Sequence, residues 1–204
     1  MKILCGTTNP AKLEFMRDML CGLDIEIIGL NDMKLTIDPI DENGNNPMDN
    51  AKIKALAYYK AAKIPVFSCD SGLYIDGLEN ENQPGVYVRR VKGKVLNDEE
   101  MIEYYTGVAS KLGGKAKGKY KNAICLVIDE KNIFEYDGDD IASGSFLIAS
   151  KAHNKRNIGF PLDSISLDIE TGKYCMDMEC HEKQKDENRM KKAYRAFFSS
   201  AILK

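Results

Sequence analysis

The residues in this chain whose types and spacing suit chemistry are acids and cations placed at the ends of apolar runs. Asp70, Ser71 and Gly72 follow the apolar run 66–69, where a buried strand is expected to turn. An aspartate is almost never buried without a partner, so Asp70 should face a cation, a donor cluster or a cleft. Asp76 follows shortly after, and a Gln83-Pro84-Gly85 loop leads on to the basic pair Arg89 and Arg90. That order suits carboxylates for a metal and arginines for phosphate; a capped hairpin with solvated charges is the plainer alternative.

A second candidate lies at the N-terminus. The strand-like run 2–6 passes through Thr7, Thr8 and Asn9 into a helix that Pro10 opens, with Asn9 as its N-cap. Lys12 then falls in the first turn, where the positive end of the helix dipole disfavours a cation, so an anion should be near it. Strand, polar turn and lysine make a phosphate cradle without P-loop spacing; otherwise Lys12 is an ordinary solvated lysine. A third candidate is Glu42, in an acidic loop with Asp38 and Asp41, longer than packing requires. It reads as a metal ligand or water orienter, or as a solvated acid. Phe160, beside Gly159 and Pro161 and three residues before Asp163, could stack a base whose edge the acid reads, or fill core.

The elements that must hold these residues read as mixed α/β. Strands are expected at 2–6, 25–28, 66–69, 120–128, 133–136 and 144–149. The second helix is capped at Asn46, and the third is opened by Asn97 with Glu100 as capping-box partner. Ala51, Ala55, Tyr58 and Ala62 line the second helix as its apolar side, and the lysines between 111 and 121 read as a basic loop. A C-terminal helix carries the stripe Met190, Ala193, Tyr194, Phe197, Phe198, Ala201 and Ile202, either core or a dimer face. With 204 residues and 44% hydrophobic content the chain can bury a sizeable core, as a single domain over 1–204 or as two packed lobes. A net charge of -2 gives no global attraction for nucleic acid or acidic membrane. The six cysteines form no CxxC pair, and no run has the length of a signal sequence or a membrane span, so a cytoplasmic protein with reduced thiols is expected.

Taken in order, the motifs resemble the inosine triphosphate pyrophosphatase family, which hydrolyses deaminated purine nucleoside triphosphates such as ITP, dITP and XTP to the monophosphate and pyrophosphate. TTNPAK resembles the family's TGNxxK, ENGNNPMDNA its ExGxxxxENA, CDSGLYIDGL its DDSGLxVDAL and PGVYVRR its PGxYSAR. GFPLDS stands for GFGYDP and EKQKDENR for EKxxxSHR, so the phosphate end is nearly intact and the base end departs from the pattern, with Cys69 in place of the first aspartate. The resemblance implies a central twisted mixed sheet with flanking helices in two lobes around a nucleotide cleft, a homodimer, and Mg²⁺ held by Glu42 and Asp70. It implies Asp70 and Lys12 as catalytic groups. Thr7, Asn9, Ser71, Arg90, Phe160, Asp163, Lys183, Asn188 and Arg189 are implied as substrate contacts. The expected reaction is attack of water on the α-phosphorus, with base preference shifted or broadened. A Maf-type nucleotide pyrophosphatase and a nucleotide-binding regulator with little turnover are the alternatives.

Overall fold

The computed structural model describes residues 1–33 and 37–202, with the side chains of all of these except 180–185. The architecture is mixed α/β: a seven-stranded sheet, a two-stranded ribbon and four α-helices. The chain divides into two compact units, one of Met1–Ser71, Lys121–Ala142 and Asn188–Lys204, the other of Gly72–Tyr120 and Ser143–Glu187.

In the first unit β1 (Lys2–Cys5) pairs in parallel with both β2 (Glu26–Ile28) and β3 (Val66–Ile75). The β1–α1–β2 connection runs through α1 (Pro10–Met19), and α2 (Pro47–Ala62) precedes β3. Both helices begin as their sequences predict, with proline at the first position and an asparagine side chain accepting backbone amides. The larger core packs β1 and β3 side chains (Ile3, Cys5, Phe67) against Met16 and Met19 of α1 and against Met190, Tyr194 and Phe198 of α4 (Cys180–Ile202). The C-terminal apolar stripe is therefore core.

In the second unit α3 (Asp98–Lys111) starts with the expected capping box between Asn97 and Glu100. Its face of Met101, Ile102, Tyr105 and Ala109 packs with Leu73, Ile75, Ile148 and Leu162. The strand β6 (Lys115–Val127) pairs antiparallel with β8 (Phe146–Ala149), which pairs with β9 (Ser166–Leu167); β7 (Ile133–Tyr136) lies against the part of β6 that belongs to the first unit. The ribbon is formed by β4 (Arg90–Val91) and β5 (Lys94–Val95).

Two expectations are corrected. The lysines from 115 onward belong to β6 instead of a loop: Ala116 and Gly118 are buried while Lys115, Lys117 and Lys121 are exposed, the period of a half-buried strand. And β3 does not turn at Asp70–Gly72 but runs on to Ile75. Asp70 thus projects from mid-strand, and its burial is met by side chains from α2 instead of by a turn.

Candidate active site

Successive residues of a strand point to opposite faces, and on β3 this sorts the chemistry. Val66, Ser68 and Asp70 share the face toward α2: Val66 clusters with Tyr58, and Asp70 meets Asn50 and Lys54. Phe67 and Cys69 take the other face, toward α1 and α4, where the Cys69 sulfur lies 3.9 Å from that of Met16. The residue that replaces the motif's first acid therefore does not share a face with Asp70. Burial pushes the Cys69 thiol up to about 12, so it is protonated and uncharged at neutral pH.

Asp70 is only 7% exposed. Its Oδ1 receives the Lys54 ammonium at 2.7 Å, and its Oδ2 accepts from the Asn50 amide at 3.3 Å. Asn50 and Lys54 are four residues apart on α2, hence on one helix face. The same Lys54 nitrogen is 3.0 Å from Glu42 Oε2, so one ammonium joins the acids of β3 and of the 38–46 loop. Burial by itself would lower the Lys54 pKa, but Asp70 and Glu42 outweigh it and hold it above the ordinary value. The loop is tied to the helix by Asn50, whose Oδ1 accepts the Gly44 amide at 2.8 Å. Glycine is required at position 44: a Cβ there would stand 2.5 Å from Asp49 Cβ and 2.7 Å from Asn50 Oδ1.

Lys12 occupies the third position of α1. Burial lowers its pKa, the Lys54 charge lowers it further, and Asp70, Cys69 and Glu42 act in the opposite direction. The carboxylates of Asp70 and Glu42 are thus among the charges that favour protonated Lys12, as a first-turn lysine calls for. The backbone cradle is more occupied than expected. Asn9 Oδ1 already takes the amides of Ala11 at 2.9 Å and Lys12 at 3.4 Å, and Thr7 Oγ1 accepts from Asn9 N at 3.2 Å. The Lys12 side chain, rather than those amides, is the group left to meet an anion.

Thr7, Asn9, Lys12, Glu42, Asp70 and Ser71 therefore all lie in the first unit, with Lys12, Glu42 and Asp70 electrostatically linked. Lys54 and Asn50 are the structure's additions as site residues. Their signal in the sequence is the four-residue spacing along a helix whose apolar side is formed by Ala51, Ala55 and Tyr58. Arg189 donates to the carbonyls of Asp139 at 2.8 Å and Ala142 at 2.9 Å, and Asn188 is exposed. The Lys183 side chain lies outside the described residues.

The second unit holds Arg90, Phe160 and Asp163. Arg90 lies over the Tyr87 ring, 5.1 Å from its centroid. Phe160 is half-buried at the start of a short 3₁₀ turn, Pro161–Ile165, in which Leu162 is buried in the core. Asp163 Oδ2 accepts from the Asn157 amide at 2.7 Å. This loop is fastened to the start of α3, where Asp98 receives Arg89 at 2.8 Å and the Gly159 amide at 3.4 Å, and Glu99 receives Arg156 at 2.6 Å.

Among the described residues no cluster of three or more His, Cys, Asp or Glu side chains forms a ready metal cage. Two hard carboxylate oxygens converging on one cationic nitrogen nonetheless match a cation that takes one or two carboxylates and fills its shell with water and phosphate oxygens. The donor set of Glu42 and Asp70 fits such an ion. Chemically, the arrangement can neutralise a polyphosphate and orient a water molecule.

A chain with this α/β fold, carrying Lys12 on α1, Lys54 on α2, Asp70 on β3 and Glu42 in the loop before α2, has the features of a phosphate-handling enzyme. Residues 3–199 match the sequence model of the Ham1 family, and the chain belongs to that family. It is 31% identical over 170 residues to a dITP/XTP pyrophosphatase of Clostridium tetani, covering 80% of this chain and 78% of that one. It is 27% identical over 191 residues to one of Mannheimia succiniciproducens, covering 92% of each. In structure it is similar to a HAM1 protein from Coxiella burnetii, with a TM-score of 0.74 at 22% identity over 98% of this chain and 99% of that one, a likeness of fold.

Proposed function

We propose that this protein hydrolyses deaminated purine nucleoside triphosphates such as ITP, dITP and XTP to the monophosphate and pyrophosphate. The observation that carries the reading is the Lys54 ammonium held between Asp70 and Glu42, with Lys12 in the same electrostatic group. Membership of a family whose relatives are named dITP/XTP pyrophosphatases supplies the substrate class.

The reaction adds water across one anhydride: its oxygen bonds to the α-phosphorus, the α–β bridging oxygen leaves with pyrophosphate, and a proton is released. Catalysis of such a step is mostly positioning and charge neutralisation. Asp70, which accepts donors on both oxygens, orients the attacking water and takes its proton. Lys12 and Lys54 hold phosphate oxygens, with Thr7, Asn9 and Ser71 around them. Glu42 and Asp70 would hold a divalent cation, Mg²⁺ in this reading, which when bound supplies further neutralisation of the polyphosphate. Phe160 stacks the purine and Asp163, oriented by Asn157, accepts from its edge; Arg90, Lys183, Asn188 and Arg189 complete the substrate contacts. A cytoplasmic homodimer with no nucleic-acid or membrane partner belongs to the same proposal, and no helix among the described residues is long and apolar enough to cross a membrane.

The test is pyrophosphate release from ITP, dITP, XTP, GTP, dTTP and UTP with Mg²⁺. Preference for the deaminated purines is expected. Preference for dTTP or UTP would point to Maf-type chemistry, and binding without turnover to a regulator.

A further inference from the structure

Tyr58 reads in the sequence as part of the apolar side of α2, and its ring does pack with Leu4 and Val66. Its hydroxyl is anomalous. The residue is only 6% exposed, yet the phenol O–H makes no hydrogen bond to any described residue. No buried side-chain oxygen or nitrogen among the described residues lacks a partner, so this hydroxyl opens on accessible space instead of being sealed in the core. Such a group is met by water in the free protein and is available to an acceptor that displaces it.

Its surroundings indicate which one. Tyr58 stands four residues beyond Lys54 and eight beyond Asn50, on the face of α2 that meets Asp70. The edge of its ring lies against Gly6, where a Cβ would stand 2.5 Å from Tyr58 Cδ2. Gly6 follows the last residue of β1 and precedes the Thr7–Asn9 turn that leads to Lys12, so the missing side chain at position 6 is what lets the ring and the Ser68 hydroxyl come against the end of β1. Burial raises the phenol pKa, with the Lys54 and Glu42 charges both acting on it, so the group is a protonated donor at neutral pH.

We propose that the Tyr58 hydroxyl is a substrate contact that donates a hydrogen bond to an oxygen of the polyphosphate, in the part of the substrate that leaves as pyrophosphate. The proposal rests on the triphosphate reading of the site. It adds a neutral donor to the cations Lys12 and Lys54, on a stiff aromatic stem whose position is fixed by packing on both sides.

The experiment compares wild type with Tyr58→Phe, which keeps the ring and removes only the oxygen. Binding of inorganic pyrophosphate is measured by calorimetry, steady-state kinetics with ITP, and folding by thermal melt. Expected are an unchanged melting temperature, a pyrophosphate dissociation constant and an ITP KM each raised about tenfold, and kcat within about twofold, the pattern of binding lost equally from ground and transition states. Wild-type pyrophosphate binding that the variant leaves unchanged overturns this proposal alone. A wild type that neither binds pyrophosphate nor hydrolyses ITP overturns it together with the reading it rests on. If the phenylalanine variant melts much lower, the hydroxyl is structural and the proposal also falls.

Discussion

Lys54 Nζ lies 2.7 Å from Asp70 Oδ1, and both side chains are about nine-tenths buried. The ammonium is the only described cation bonded to Asp70, and it is shared with Glu42. Lys54→Met would leave two carboxylates facing each other, and breaking a buried pair by removing one partner costs about 3–5 kcal/mol. The variant should melt lower than wild type, and a divalent cation should restore it more than it stabilises wild type, because the cation takes over the neutralising role. Melts with Mg²⁺ and with chelator check this; equal responses of the two proteins would count against convergence of Glu42 and Asp70 on one ion.

Asp70→Asn keeps the size of the side chain and its contact with Asn50 while removing the charge and the proton acceptor. Pyrophosphate release should fall by about 10²–10⁴-fold, the usual worth of a positioned general base, with the circular dichroism spectrum unchanged. Near-normal turnover would remove Asp70 from the chemistry.

Lys12 has a lowered pKa because burial and Lys54 oppose its charge. When protonated it therefore costs the fold stability, a cost fully present below the lowered value and relieved as pH rises from there to the ordinary lysine range. Lys12→Met should melt at the wild-type temperature or above it while raising the KM for ITP at least about tenfold, the factor that corresponds to 1.4 kcal/mol of lost binding. In wild type, phosphate affinity should weaken with rising pH below the ordinary lysine range, and that step should vanish in the variant. Lys54, held above its ordinary value, stays charged through the same window. A pH series of pyrophosphate binding reads both.

Asp163 accepts from Asn157 and lies in the second unit, away in sequence from Glu42 and Asp70. Asp163→Ala should change the rank order of kcat/KM among ITP, XTP and GTP while leaving pyrophosphate binding within about twofold of wild type, since a hydrogen bond to a base edge discriminates by about 1–3 kcal/mol. A uniform loss across all bases would assign Asp163 to folding.

Arg189 holds the 138–142 turn through two carbonyls. Arg189→Met should lower the unfolding free energy read from denaturant melts by at most about 1.5–3 kcal/mol per charged hydrogen bond lost. If stability is untouched and only the KM for ITP rises, its donors serve the substrate instead.

Much of this was legible beforehand because it is written in local patterns. Asn9-Pro10, Asn46-Pro47 and the Asn97/Glu100 pair mark three helix starts, and loop length, burial and dipole arguments single out Glu42, Asp70 and Lys12, which the fold places in one unit. What escaped depends on tertiary placement. Lys54 looked like any lysine beside an apolar stripe until α2 was laid on β3. Ser71 and Gly72 signal a break locally, but the pairing of the long strand overrides them and carries β3 through Asp70 to Ile75. The lysines of β6 looked like a loop by composition, although their alternation with Ala116 and Gly118 already had the period of a strand.

The strand that carries Asp70 also explains why an atypical neighbour is tolerated. Cys69 lies beside Met16, with its thiol held in the neutral form by burial. Among the cysteines whose side chains are described, Cys21, exposed and free, is the sulfur a thiol reagent should find first. Position 69 is thereby answerable to packing with α1 and α4, while position 70 on the opposite side of the strand is answerable to the charges of α2.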